Sequence, residues 1–218
     1  MLVANCPSCG AEIRFQSAAM PVKICGYCGS AVVRNGQDLT AVGKVASLPD
    51  DVSPLQIGAR GVDGTLRFAV AGRIRWRWSA GMWTEWMALR EDGSEVWLGE
   101  AMGRFMLMSE LPAGTVAAGL GPQPTYGQQV GLAGVNYTIT DIKTAVCAGA
   151  QGELSYAPPT ESKLLNIDLS ADDGLCASIQ QLEGETSYYA GRYVTLEALK
   201  PVGLRTVPGW DLPAFARV

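Results

Sequence analysis

The chain has 218 residues, 48% of them hydrophobic and 17% charged, which provides for a sizeable buried core and excludes disorder except in linkers. Its formal charge is −4; residues 111–218 carry 6 Lys/Arg against 10 Asp/Glu and residues 1–110 carry 11 of each, so the acidic excess is local and the chain is a poor general partner for phosphate backbones. It contains no histidine, which removes the commonest general base, the usual partner of a nucleophilic Ser or Cys, and the commonest ligand of catalytic zinc.

The chain begins "MLVANCPSCG", with neither a basic start nor a long apolar stretch, so no signal peptide is expected there. A cytoplasmic protein with reduced or metal-bound cysteines follows as the expectation. "CPSCG" (Cys6 to Gly10) and "CGYCG" (Cys25 to Gly29) are two C-x2-C pairs with 15 residues between them, the spacing of a structural zinc ribbon. Cys6, Cys9, Cys25 and Cys28 are the candidate ligands of one structural Zn2+. Four thiolates fill zinc's coordination shell and leave no position for an activated water. Between the pairs, "AEIRFQS" alternates like a strand, and "SAVVR" after Cys28 is expected to pair with it.

Residues 37–57 read as a linker, with Pro49, Asp50, Asp51 and Pro54 as breakers. Residues 58–111 then read as short strands with turns. The stretch "GRIRWRWSAGMWTEW" (Gly72 to Trp86) holds four of the six tryptophans. Period two puts Ile74, Trp76 and Trp78 on a core face and Arg73, Arg75 and Arg77 on the other. A three-residue loop after Trp78 would set Arg75 beside Glu85 and Arg77 beside Trp83. Trp83 and Trp86 cannot both point inward on a regular strand, so one is expected at the surface. Arg75, Arg77, Trp83, Glu85 and Trp86 are therefore the candidate partner-binding set.

Residues 112–127, "PAGTVAAGLGPQPTYG", read as a second linker. Residues 128–218 read as a second β-unit with a C-terminal tail. Leu89 matches Leu169, Asp92-Gly93 matches Asp173-Gly174, and Gly103-Arg104-Phe105 matches Gly191-Arg192-Tyr193, which suggests two related units with a cleft between them. Cys147 and Cys176 lack a C-x2-C partner and read as small buried hydrophobes. Asp172 and Asp173 are turn residues before they are ligands.

The segments "CPSCGAEIRF", "CGYCGSAVVRNG", "SPLQIGARG", "FAVAGRIR", "WTEWMAL", "GSEVWLGEAMGRF" and "GELSYAPP" resemble an uncharacterised bacterial domain-of-unknown-function family. Its longer members carry an N-terminal four-cysteine zinc ribbon before a tandem β region. The resemblance supplies no catalytic residues. Through gene neighbourhood it implies an accessory role near phage-shock-type membrane-remodelling proteins and polyamine-synthesis enzymes.

The expected fold is all-β: a zinc ribbon over residues 1–36, then two related antiparallel β-units, barrel-like or sandwich-like. The expected function is a non-enzymatic zinc-containing adaptor that docks a partner protein, with peripheral membrane association open to it through that partner and, as the resemblance implies, a place in a bacterial envelope-stress system. The alternatives are a binder of a polyamine-like ligand, or an enzyme, in the cleft between the units, and a nucleic-acid-binding ribbon. Three arginines answered by Glu85 make the last a weak reading.

Overall fold

The computed structural model describes residues 2–17, 19–48, 52–209 and 211. Pro49, Asp50, Asp51 and the tail from Leu212 lie outside these residues, so the breaker reading of the first linker is testable only in part.

The regular structure of the described chain is nearly all β, as its patterning predicts. Strands β1 (Leu2–Asn5), β2 (Glu12–Phe15), β3 (Val22–Ile24), β4 (Ser30–Asn35) and β5 (Asp38–Lys44) carry the cysteine pairs. Two meanders follow. The first is β6 (Arg60–Asp63), β7 (Leu66–Trp78), β8 (Gly81–Arg90), β9 (Glu95–Ala101) and β10 (Arg104–Glu110). The second is β11 (Gln129–Leu132), β12 (Val135–Leu154), β13 (Lys163–Ser170), β14 (Leu175–Leu182) and β15 (Glu185–Val194). Two short 3-10 turns, Asp172–Gly174 and Glu197–Leu199, are the only helical pieces among the described residues.

All pairings are antiparallel. Within each meander neighbouring strands pair in sequence, and the meanders join twice, β10 to β15 and β7 to β12. The second junction closes β7–β10 and β12–β15 into an eight-stranded barrel with no open edge. Closure demands sharply bent strands. Register shifts lie at Val70/Gly72 in β7 and at Ile139/Asp141 and Cys147/Gly149 in β12, where bulges let each long strand leave one neighbour and take another.

The alternation of each strand feeds three cores. Ile74, Trp76, Met87, Trp97, Met108, Leu164 and Tyr189 point into the barrel. Trp86, Ala88, Leu98 and Leu107 point outward from the first meander, where Leu55, Ala59, Leu196 and Leu199 cover them. Ile139, Ile167, Leu169 and Ile179 point outward from the second, where Ala117, Val130 and Leu132 cover them. The barrel is thus buried on both faces over much of its wall.

Several expectations change. "SAVVR" does not pair with "AEIRFQS": β4 pairs with β3 and β5, and β2 pairs with β1. Asp38–Lys44, expected within the first linker, extends the ribbon as β5. Residues 112–127 are a covering segment, with Ala117 buried against the outer face and Ala118 bridged to Gly131. Leu89 and Leu169 occupy β8 and β13, and Asp92-Gly93 and Asp173-Gly174 occupy the turns after them. Gly103, however, lies in the β9–β10 turn whereas Gly191 lies inside β15.

Candidate functional site

Two sites stand out: a cysteine cluster and a barrel cavity. Each C-x2-C pair forms a tight knuckle, closed by Gly10 N–H donating to Cys6 O (2.8 Å) and Gly29 N–H donating to Cys25 O (3.0 Å). Gly10 (φ 76°) and Gly29 (φ 72°) supply the left-handed backbone these turns require. The four Sγ atoms of Cys6, Cys9, Cys25 and Cys28 lie within 4.8 Å of one another. Cys6–Cys28 and Cys9–Cys25 are each 3.8 Å apart. That is far beyond a disulfide, about 2.05 Å, and matches the edge of about 3.8 Å of a tetrahedron of sulfurs each about 2.3 Å from a central ion. The donor set fits a thiophilic divalent metal.

The barrel encloses a cavity of about 640 Å³. Trp78, Trp83, Trp97, Tyr156, Tyr189 and Tyr193 wall it. Trp83 lies 5.7 Å from Trp78 and 6.2 Å from Trp76, ring centre to ring centre. Arg104, Asp141 and Lys143 stand among the lining residues with Met102, which is 94% exposed and marks the mouth.

A polar chain runs through this aromatic wall. Glu85 accepts from Trp76 Nε1 (2.7 Å), Trp83 Nε1 (3.0 Å) and Gln180 Nε2 (2.8 Å). Gln180 Nε2 and Ser178 Oγ also donate to Asn166 Oδ1, and Asn166 Nδ2 donates to Asp168 Oδ1 (2.9 Å). Burial pushes the Glu85 carboxyl up, against three hydrogen bonds that favour its ionised form. Burial likewise pushes Asp168 up, to about 6, against hydrogen bonds from Asn166 and Ser178. Indole N–H groups only donate, so Trp76 and Trp83 place one donor on each Glu85 oxygen and hold it as an acceptor. Among the described residues, Glu85 has no ion-pair partner.

The family model for a domain of unknown function, DUF4178, matches residues 56–196, more than half of the chain. The chain belongs to the DUF4178 family. No curated protein and no solved structure matches it significantly. The DUF4178 span begins just before β6 and ends just after β15, so it contains the whole barrel and its cavity. The cysteine cluster precedes it.

Within the DUF4178 barrel the tryptophan hairpin is placed differently from the sequence expectation. A two-residue turn, Ser79–Ala80, sets Trp76 opposite Trp83, Arg75 opposite Thr84 and Arg77 opposite Met82. Against the three-residue loop, the register slips, so Arg75 and Glu85 do not pair: Glu85 faces the cavity and Arg75 faces out. Neither Trp83 nor Trp86 is exposed. Trp83 walls the cavity, and Trp86, 1% exposed, lies in the outer core beneath Leu55 and Leu199. Trp86 Nε1 donates to Glu100 Oε2 (2.8 Å), and the Arg73 guanidinium sits 4.9 Å above its ring. Of the five candidate partner-binding residues, only Arg77 is exposed.

Sequence reasoning missed Asn166, Asp168, Ser178 and Gln180. Their signal was available: "LLNIDLS" and "CASIQQL" put polar residues at every second position of strands flanked by apolar ones, which marks a wet inner face. Cys147 and Cys176 lie in the barrel core, and burial pushes the Cys176 thiol up to about 12.

Proposed function

We propose that this DUF4178 protein is a small-molecule-binding barrel held by one structural zinc ion, and that its ligand carries an ammonium group of the polyamine type. The observation that carries the reading is Glu85, a buried carboxylate beside an aromatic cavity with three N–H donors and, among the described residues, no cation paired with it. A buried carboxylate without a counter-charge costs several kcal/mol unless it takes a proton or a cation. Aromatic rings of the lining suit the same cation: Lys143 Nζ, 5.9 Å from the Trp78 ring centre, and the Arg104 guanidinium, 5.0 Å from the Tyr193 ring centre, already place cations against them. Zinc is the metal because four thiolates on two C-x2-C knuckles fit its tetrahedral preference.

The reading is of a binder, not an enzyme: the cavity lining has no histidine and no cysteine. It places the protein in the cytoplasm, where the thiolates stay reduced. It also treats the two meanders, which share one strand order, as copies of one unit.

A thermal-shift screen of the metal-loaded chain with putrescine, spermidine and matched dicarboxylates tests this. Amines are expected to raise Tm by several degrees, including at 0.5 M salt, and dicarboxylates to leave it unchanged. No amine shift, or the same shift in Glu85→Gln, contradicts it.

A second reading keeps the ribbon as a dock for a partner protein, at a membrane or elsewhere. Tyr27, 88% exposed between Cys25 and Cys28, favours it. Tyr27→Ser should then abolish co-purification of that partner from native host lysate while leaving metal content unchanged.

A further inference from the structure

The geometry points to the ribbon as a plug that backs the floor of the barrel cavity, so that metal occupancy of the four cysteines controls how tightly the barrel holds its ligand. This rests on the metal and cavity readings above. Strand β3 leaves the ribbon and pairs with the end of β12, Glu153 opposite Lys23 and Leu154 opposite Val22. Beside this pairing, the Glu153 carboxylate accepts from Gln16 N–H (2.7 Å) and Ser17 N–H (3.0 Å) and faces Lys23 Nζ at 3.5 Å. Glu153 is buried, so the barrel wall grips the chain between the two knuckles through a desolvated, charge-assisted contact.

The gripped segment then packs against the barrel's inner side chains. Met20, Val22 and Ile24 are buried in one cluster with Trp76, Met87, Trp97, Met108 and Tyr189. Trp97, Met108 and Tyr189 are also cavity walls, and the ribbon residues stand behind them without lining the cavity themselves. The floor and the metal site are continuous in the chain, because Cys25 follows Ile24. A third tie comes after the second knuckle: Val45 N–H donates to Gly29 O (2.9 Å), and Val45 enters the same barrel cluster.

The ribbon has little of its own to keep this plug in place. Its separate core is Cys6, Ile13, Phe15, Cys25 and Val32, and two of those five are ligands. A core this small depends on the metal for its fold. Without the metal the knuckles lose their crosslink, and β3 is held by its short pairing with β4 and the contacts it makes with the barrel. Local opening of β3 then unseats Met20, Val22 and Ile24 and opens the cavity from below.

The test is hydrogen–deuterium exchange on the full chain, zinc-loaded and chelator-stripped, with no ligand added, together with caesium quenching of tryptophan fluorescence. Stripping is expected to speed exchange at least tenfold at 20–24 and at 150–154, and to raise quenching. Metal present but exchange at 150–154 and quenching unchanged on stripping overturns this inference and leaves the metal reading intact. No metal by elemental analysis overturns both. Glu153→Ala separates floor from metal: it should keep about one zinc per chain yet exchange like the stripped protein at 150–154. A Glu153→Ala chain that keeps its zinc and protects 150–154 like the parent overturns the inference. In an amine titration, stripping should weaken spermidine binding tenfold or more; the exchange result decides the floor whether or not spermidine binds.

Discussion

Glu85 and Asp168 are the residues on which the binding reading turns, and both leave a signature in pH. Asp168 is held at about 6 against 3.8 for a free Asp, with Asn166, Ser178, Asp141 and Lys143 around it. The folded state therefore keeps this proton better than the unfolded chain. The resulting stabilisation is complete below the unfolded pKa and is lost as pH rises through about 6. Glu85 acts in the same direction. Asp63, depressed by hydrogen bonds and charge from Arg90 and Arg192 that outweigh its burial, loses its contribution only at more acid pH. The ligand-free protein is predicted to be more stable at pH 5 than at pH 7 by at least roughly 1 kcal/mol, read from urea midpoints. Amine binding favours the ionised carboxylates, so its affinity should fall roughly tenfold from pH 7 to pH 5. Trp86 is a contrasting residue: it serves the outer core. Trp86→Ala should cost about 3–5 kcal/mol in urea unfolding, while amine affinity of the folded variant stays within twofold.

At the scale of strands, the two seams that close the barrel are built on close backbone approach. A Cβ on Gly72 would meet Glu153 O at 2.1 Å across the β7–β12 side, and one on Gly191 would meet Leu107 O at 1.9 Å across β10–β15. Both oxygens belong to backbone and cannot swing away. Gly72→Ala and Gly191→Ala should each destabilise by roughly 1–3 kcal/mol or more, whereas Gly93→Ala at an exposed turn with open space should affect strain alone. Circular dichroism melts of the three variants rank them. Strands of this kind were legible in the sequence where a hairpin carried its own turn chemistry, as at Asp92-Gly93. The Trp78 hairpin was legible as a hairpin, but Ser79–Ala80 carries no glycine to fix loop length. One residue of register then moved Glu85 from an imagined surface ion pair to the cavity.

At the scale of the molecule, the all-β class and the cysteine cluster were readable from composition, alternation and spacing. Barrel closure was not, because its seams join residues far apart in sequence and leave no local pattern. The outer cores were hidden for a related reason. Trp86 sits on the face that alternation assigns to solvent, and only the folding back of residues 53–59 and of Glu197–Leu199 buries it. The acidic excess of residues 111–218 was visible, but that Asp168 faces inward toward Glu85 depends on the closed barrel. No helix among the described residues is long and apolar enough to cross a membrane. The most direct test of the central claim is calorimetric titration of the zinc-loaded chain and of Glu85→Gln with spermidine at pH 7. One spermidine per chain is predicted, with binding at least tenfold weaker in Glu85→Gln and unchanged in Arg77→Gln. Absence of binding to the parent chain, or equal affinity in Glu85→Gln, would contradict it.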